Sequence, residues 1–236
     1  LGNGSKLLLG YNGIKGIVIK ISKNMNNISL CDNVLDCGSV ALLSSIASFS
    51  LKNSLGGFEF AAGIPGTLGG AVVMNDGAYD GEMKDVVIST TYVNENGEVC
   101  ETNEHGFGYR KSVFSDNKWI VTASRIKLFS KDKNEISEKM KTLSKRRRDK
   151  QPLEYCSAGS TFKRPEGFFA GKLVEDAGLK GFKIGGAAVS VKHCGFIINE
   201  GDATFEDVLS LIRYVQDEVY NKFGVRLETE VKICGL

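Results

Sequence analysis

The residues of this chain best suited to chemistry fall in three short stretches. Ser160 stands in Ala158-Gly159-Ser160-Thr161-Phe162-Lys163, where small neighbours leave its hydroxyl accessible. A serine after glycine is first of all a turn or cap residue. It is not a hydrolase nucleophile, because G-x-S-x-G is absent and no Ser–His–Asp set is visible. Arg110, in Tyr109-Arg110-Lys111-Ser112, carries a planar fork suited to bidentate contact with a carboxylate, although most arginines are plain surface cations. Glu228 and Glu230, in Leu227-Glu228-Thr229-Glu230-Val231, would share one face of an extended segment, so spacing alone does not choose between them.

Two glycine-rich segments could meet an anion. The denser is Gly63-Ile64-Pro65-Gly66-Thr67-Leu68-Gly69-Gly70-Ala71, and Gly2-Asn3-Gly4-Ser5 is of the same kind. Backbone exposed without side chains can present consecutive N–H groups to a pyrophosphate, and it can equally be a plain turn. Neither segment fits the spacing of the Rossmann or P-loop fingerprints. The run Lys145-Arg146-Arg147-Arg148-Asp149-Lys150 reads as a solvated helix face, with a phosphate role open to Lys150, and to Lys163 and Arg164 further on. Two histidines, His105 and His193, are too few for a His-based metal site. The six cysteines form no C-x-x-C pair, which argues against zinc and against a disulfide framework and suggests reduced, mostly buried thiols.

The elements that must carry these residues follow from periodicity. Gly16–Ile21 is short and β-branched and predicts a strand. Val40–Lys52 has helical spacing after a cap at Ser39. Val86–Val93, the turn Asn94-Glu95-Asn96-Gly97 and Glu98–Glu101 predict a hairpin. Trp119–Phe129 predicts another strand. Ile136, Met140 and Leu143 mark a narrow helical face in the charged stretch 130–150, which Pro152 stops. The final helix starts at Thr204 with Asp207 three residues on, buries Val208, Leu211, Ile212, Val215, Val219 and Phe223, and ends at Gly224. Strands and helices mix without a βαβ repeat, so the fold class is α+β, divided near residue 131 into domains 1–130 and 131–236.

With 42% apolar and 25% charged residues in 236, the chain can build a sizeable core. Its net charge of +2 gives no field that suggests nucleic acid or a membrane surface. No apolar run is long enough to span a membrane and no signal peptide opens the chain, which reads as cytoplasmic.

Four ordered motifs resemble one family: G-I-P-G-T-L-G-G-A-V-V-M-N-D-G-A-Y (63–79), Y-R-K-S-V-F (109–114), S-A-G-S-T-F-K-R-P (157–165) and R-L-E-T-E-V (226–231). Together they are similar to the UDP-N-acetylenolpyruvoylglucosamine reductases, in their shorter form, across essentially the whole chain. The resemblance implies a vanillyl-alcohol-oxidase type of FAD-binding domain followed by a smaller α+β substrate domain. It implies an NADPH-dependent reduction of UDP-N-acetylglucosamine enolpyruvate to UDP-N-acetylmuramate for peptidoglycan precursors, with non-covalent FAD, no metal, and a monomeric enzyme. It assigns Ser160 as proton donor, Arg110 to the enolate and Glu230 to the active site. FAD would lie on Gly2, Asn3, Gly4, Ser5, Gly63, Ile64, Pro65, Gly66, Thr67, Gly69, Gly70 and Ala71, and substrate on Tyr109, Lys150, Lys163 and Arg164. Asp80 departs from the glycine usual there, and the chain is expected to lack the family's N-terminal segment. A sugar or alcohol oxidase on the same fold, or a flavin-free sugar-nucleotide-binding fragment, are the competing readings.

Overall fold

A computed structural model describes residues 1–117 and 119–235. Contacts divide the chain into two compact units, one of residues 1–3 and 19–147, the other of residues 4–18 and 148–236. This differs from a division near residue 131. The helix Lys133–Lys150 buries Ile136 and packs Met140 against the first core, so its residues as far as Arg147 go with the first unit.

The first unit is built on a five-stranded antiparallel sheet in the order Ile28–Cys31, Val34–Gly38, Ile120–Lys127, Val87–Val93, Val99–Thr102. Its core joins Leu35 and Ile126 of the sheet to Leu43 and Ile46 of the helix Leu43–Lys52 and to Leu68 and Val72 of the helix Leu68–Val73. The expected hairpin is present. Gly97 takes a φ of 84°, and the Asn94 side chain accepts the N–H groups of Asn96 and Glu98.

Two local expectations give way to tertiary pairing. Ser39 does not cap the first helix, which starts at Leu43 after Leu42 with no side-chain cap. Leu42 is held extended instead, bridged to Thr67, with Leu43 N–H donating to Gly66 O and Leu68 N–H to Ala41 O. Gly16–Ile21 forms no strand: Ile17 is 94% exposed, and Ile21 N–H finds only Leu1 O. A β-branched run does not become a strand without a ladder to join.

The second unit has a four-stranded antiparallel sheet in the order Cys156–Ser160, Phe196–Asn199, Ala187–Val189, Lys183–Ile184. The helices Ala170–Asp176 and Phe205–Phe223 contribute Leu173, Val174, Leu211, Ile212, Val215 and Val219 to a core shared with Val189 and Ile197. Thr204 and Asp207 form the capping box expected of the last helix, and Gly224 ends it at φ 68°. Its buried stripe differs in detail. Leu209 is buried, whereas Phe223 is 40% exposed at the last turn. Leu7–Leu9 pairs in parallel with Lys232–Cys234, which ties the two ends of this unit together.

All six cysteines are free, but only Cys37 and Cys194 are buried. Burial, with Asp36 beside it, pushes the Cys37 thiol up to about 12, and burial also raises Cys194. Neither is a nucleophile at neutral pH.

Candidate active site

In the first unit, a tight turn presents Arg110. Gly108 and Lys111 exchange both backbone hydrogen bonds, which leaves Tyr109 and Arg110 at the tip, with Arg110 at φ 52°. Buried Asn75 holds this turn by donating through Nδ2 to Gly108 O at 3.1 Å, while Ser112 donates to Val73 O at 2.7 Å. The Arg110 guanidinium donates to Asp76 Oδ1 at 2.6 Å, and both side chains are partly buried. Tyr109 is largely exposed.

Arg147 belongs to the same neighbourhood. Burial lowers its pKa, and the charges of Tyr79 and Asp76 work in the opposite direction. Its Cδ would lie 3.2 Å from a Cβ placed on Gly63, and Arg146 stacks on the Tyr79 ring. The basic run therefore contributes a half-buried guanidinium that was not among the expected site residues. A signal for it existed: Ile136, Met140, Leu143 and Arg147 continue one helical face at steps of three and four. Asp76 lies within the 63–79 motif, but no periodicity marks it as a site residue.

The glycine-rich segment packs against the sheet at Gly69 and is open at Gly66 and Gly70. Gly69 N–H donates to Ser39 O at 2.8 Å, and a Cβ on Gly69 would sit 2.9 Å from Ser39 Cβ. At Gly70 the nearest atom is 3.8 Å away, and at Gly66 it is 4.0 Å. Ile64 and Ala71 are core residues, Thr67 is buried, and Pro65 is exposed. Ser39 Oγ is buried and has no hydrogen-bond partner among the described residues. Gly2 meets this segment closely, since a Cβ there would lie 2.5 Å from Thr67 Oγ1. The first loop is shared out, however: Gly2 and Asn3 belong to the first unit, Gly4 and Ser5 to the second.

In the second unit Ser160 and Glu230 are neighbours. Ser160 ends the strand Cys156–Ser160, and Thr161 continues it into a second pairing in which Glu230 N–H donates to Thr161 O at 2.8 Å. Glu230 is 5% exposed. Lys6 Nζ lies 2.9 Å from Glu230 Oε1 and donates to Ser160 O at 3.0 Å. The structure separates the two glutamates: Glu228 is exposed and pairs with Lys163 at 3.0 Å. Lys163 is thus engaged by Glu228, Arg164 lies over the Phe169 ring, and Lys150 is exposed at the end of its helix. A cavity of about 420 Å3 in this unit is lined by Gly4, Ser5, Ser157, Ala158, Thr161 and Thr204, among others. Of the three expected catalytic residues, then, Ser160 and Glu230 share one unit and Arg110 lies in the other.

Residues 1–103 match the FAD binding domain family, and with the open glycine backbone of the first unit this makes the chain a flavin-dependent oxidoreductase. Residues 151–234 match the C-terminal domain of UDP-N-acetylenolpyruvoylglucosamine reductase. The chain is 53% identical over 237 residues to the UDP-N-acetylenolpyruvoylglucosamine reductase of Caldanaerobacter subterraneus, and 50% identical to that of Clostridioides difficile, spanning all of this chain and 78% of each relative. The crystal structure of the Thermus caldophilus reductase superposes with a TM-score of 0.85 at 35% identity, covering 99% of this chain and 84% of that one. The chain belongs to the UDP-N-acetylenolpyruvoylglucosamine reductase family, and it is shorter than these relatives. Among the described residues no helix is long and apolar enough to cross a membrane, and no group of three or more His, Cys, Asp or Glu could hold a metal ion.

Proposed function

We propose that this chain reduces UDP-N-acetylglucosamine enolpyruvate to UDP-N-acetylmuramate, in the cytoplasm and as a monomer, with NADPH as the source of electrons. The observation that carries the reading is the adjacency of Ser160 to the buried Glu230, within a domain matched to this reductase family. The residues fit FAD: Gly66 and Gly70 present backbone with nothing closer than 3.8 Å to an added Cβ, between residues that anchor the segment to the sheet. Bound there, FAD supplies the hydride.

The protein's own residues supply the rest. Reduction of an enol ether conjugated to a carboxylate builds enolate charge on the carboxylate side and then requires a proton on carbon. The Arg110 fork, presented by its strained turn, suits that carboxylate. The Ser160 hydroxyl delivers the proton, and a weakly acidic hydroxyl suffices because a carbanionic carbon is strongly basic. Glu230 fixes the geometry of that donor. The diphosphate is met by the cations Lys150, Lys163 and Arg164, with Lys163 having to leave Glu228, and Tyr109 adds a hydroxyl contact to the substrate.

The test is Ser160→Ala. The variant is expected to go on oxidising NADPH through its flavin while losing sugar-nucleotide turnover by about a thousandfold, the range for loss of a placed proton donor. Undiminished turnover would remove Ser160 from the mechanism.

A further inference from the structure

The active-site half in the second unit has a third member, Lys6, at the head of the strand Leu7–Leu9. Two segments from different parts of the chain converge on its ammonium. Ser160 offers its main-chain carbonyl at 3.0 Å, and Glu230 offers Oε1 at 2.9 Å. Gly159, at φ 75°, leaves room: a Cβ there would stand 3.0 Å from Lys6 Nζ. Lys6 is not a long side chain that has merely found a partner on the surface. Its own carbonyl accepts Lys232 N–H at 2.8 Å, and the parallel register Leu7 to Lys232 fixes where the side chain starts. Glu230 is fixed in the same way, through its N–H on Thr161 O. Both ends of the ion pair are therefore set by backbone, and the pair is formed between a glutamate side chain that is 5% exposed and a lysine side chain that is 36% exposed.

We infer that Lys6 is a positioning residue for the proton-delivery step: it clamps the Glu230 carboxylate to the strand end that carries Ser160. The inference rests on the roles given above to Ser160 and Glu230. A buried carboxylate is held in place only where a charge partner and hydrogen bonds compensate its lost hydration. An ammonium has three donors and no acceptor. One donor spent on Glu230 and one on Ser160 O place a single cation on both groups and set the distance between the acid and the serine. Without the ammonium, Glu230 loses its ion pair to the strand head, and the Ser160 carbonyl loses the contact that ties it to Glu230. Lys6 itself transfers no proton here.

The test compares Lys6→Met with Lys6→Arg in the flavin-loaded protein, using UDP-N-acetylglucosamine enolpyruvate and NADPH. Lys6→Met is expected to lower kcat for the sugar nucleotide by about tenfold or more, to change KM less than about threefold, and to alter the pH profile of kcat. Lys6→Arg is expected to regain most of the rate. A readout that needs no flavin is the thermal unfolding of Lys6→Met, Glu230→Gln and the double variant, whose Tm shifts are expected not to add. A Lys6→Met protein with wild-type kcat and pH profile, or with Tm shifts that add, overturns the inference. If the wild-type protein fails to turn over the sugar nucleotide, the functional reading falls, and the unfolding cycle alone decides whether Lys6 clamps Glu230.

Discussion

Gly69 and Gly70 are adjacent, both glycine, and both in the helix Leu68–Val73, yet alanine should act on them with opposite sign. At Gly69 the added Cβ would stand 2.9 Å from Ser39 Cβ and 3.2 Å from Ser39 O. Ser39 has no direction in which to retreat, because its N–H donates to Thr122 O in the central strand and its carbonyl accepts Gly69 N–H. The helix must move off the sheet, and overpacking of this kind costs about 1–3 kcal/mol. Against that stands the helix-propensity gain of alanine over glycine, about 1 kcal/mol at most in so short a helix. Gly69→Ala should therefore lose up to about 2 kcal/mol and lower the melting temperature of the first unit by about 2–4 °C per kcal/mol. At Gly70 the nearest atom is 3.8 Å away and the backbone is exposed, so Gly70→Ala keeps the propensity gain and melts at or above the wild-type temperature. Flavin reverses that benefit. If the cofactor lies on the open side of this segment, the Gly70 methyl group occupies its approach, and the affinity measured by flavin fluorescence titration falls. Equal melting shifts for the two variants, or a Gly69→Ala protein that melts with the wild type, would refute the packing argument. A Gly70→Ala protein with undiminished flavin affinity would refute the location of the cofactor.

Two further outcomes concern stability. Burial lowers the pKa of His105, which touches Thr90 Oγ1 through Nε2, so the unfolded chain takes up a proton there first as pH falls. Stability should consequently decline below about pH 6.5, and His105→Gln should flatten that decline in melts at about pH 7 and pH 5, leaving the part that His193 contributes with the same sign. Thr204→Ala removes one half of the capping box on the last helix and should cost about 1 kcal/mol in urea unfolding with an unchanged m-value. A variant as stable as the wild type would mean that Asp207, which also accepts Thr204 N–H, caps the helix unaided.

Elements whose signals are local could be read from the sequence. The Asn94–Gly97 turn and the Thr204, Asp207 and Gly224 caps each need only a few consecutive residues, and each appears where expected. Ser39 looked equally well placed as a cap, but its surroundings are decided by Gly66–Leu68 across the fold, so its backbone joins the sheet and the helix begins later. The half-site residues follow the same division. Arg110 and Ser160 stand in motifs distinctive enough to recognise; Asp76 also lies in one, but nothing in it points to a pairing with Arg110, and Lys6 is an ordinary residue in sequence. They acquire meaning only because Asp76 reaches the Arg110 guanidinium and Lys6 meets Glu230.

The choice between Glu228 and Glu230 shows why spacing could not settle the site. Both lie on one strand-like stretch, and what distinguishes them is Thr161. Its N–H donates to Gly195 O, its hydroxyl accepts Ile197 N–H at 3.0 Å, and its carbonyl accepts Glu230 N–H. Every polar group of this residue, which is 3% exposed, stitches one chain segment to another. That stitching draws Glu230 inward beside Ser160, while Glu228, one residue to the other side of Thr229, projects to solvent and Lys163. The Ser-Thr pair of the motif therefore divides its labour: Ser160 carries the hydroxyl that reacts in the proposed mechanism, and Thr161 fixes which glutamate stands next to it. Replacing Thr161 by valine would keep the volume but orphan the Ile197 N–H. Its damage should accordingly appear as lost stability of the second unit's sheet before it appears as lost chemistry.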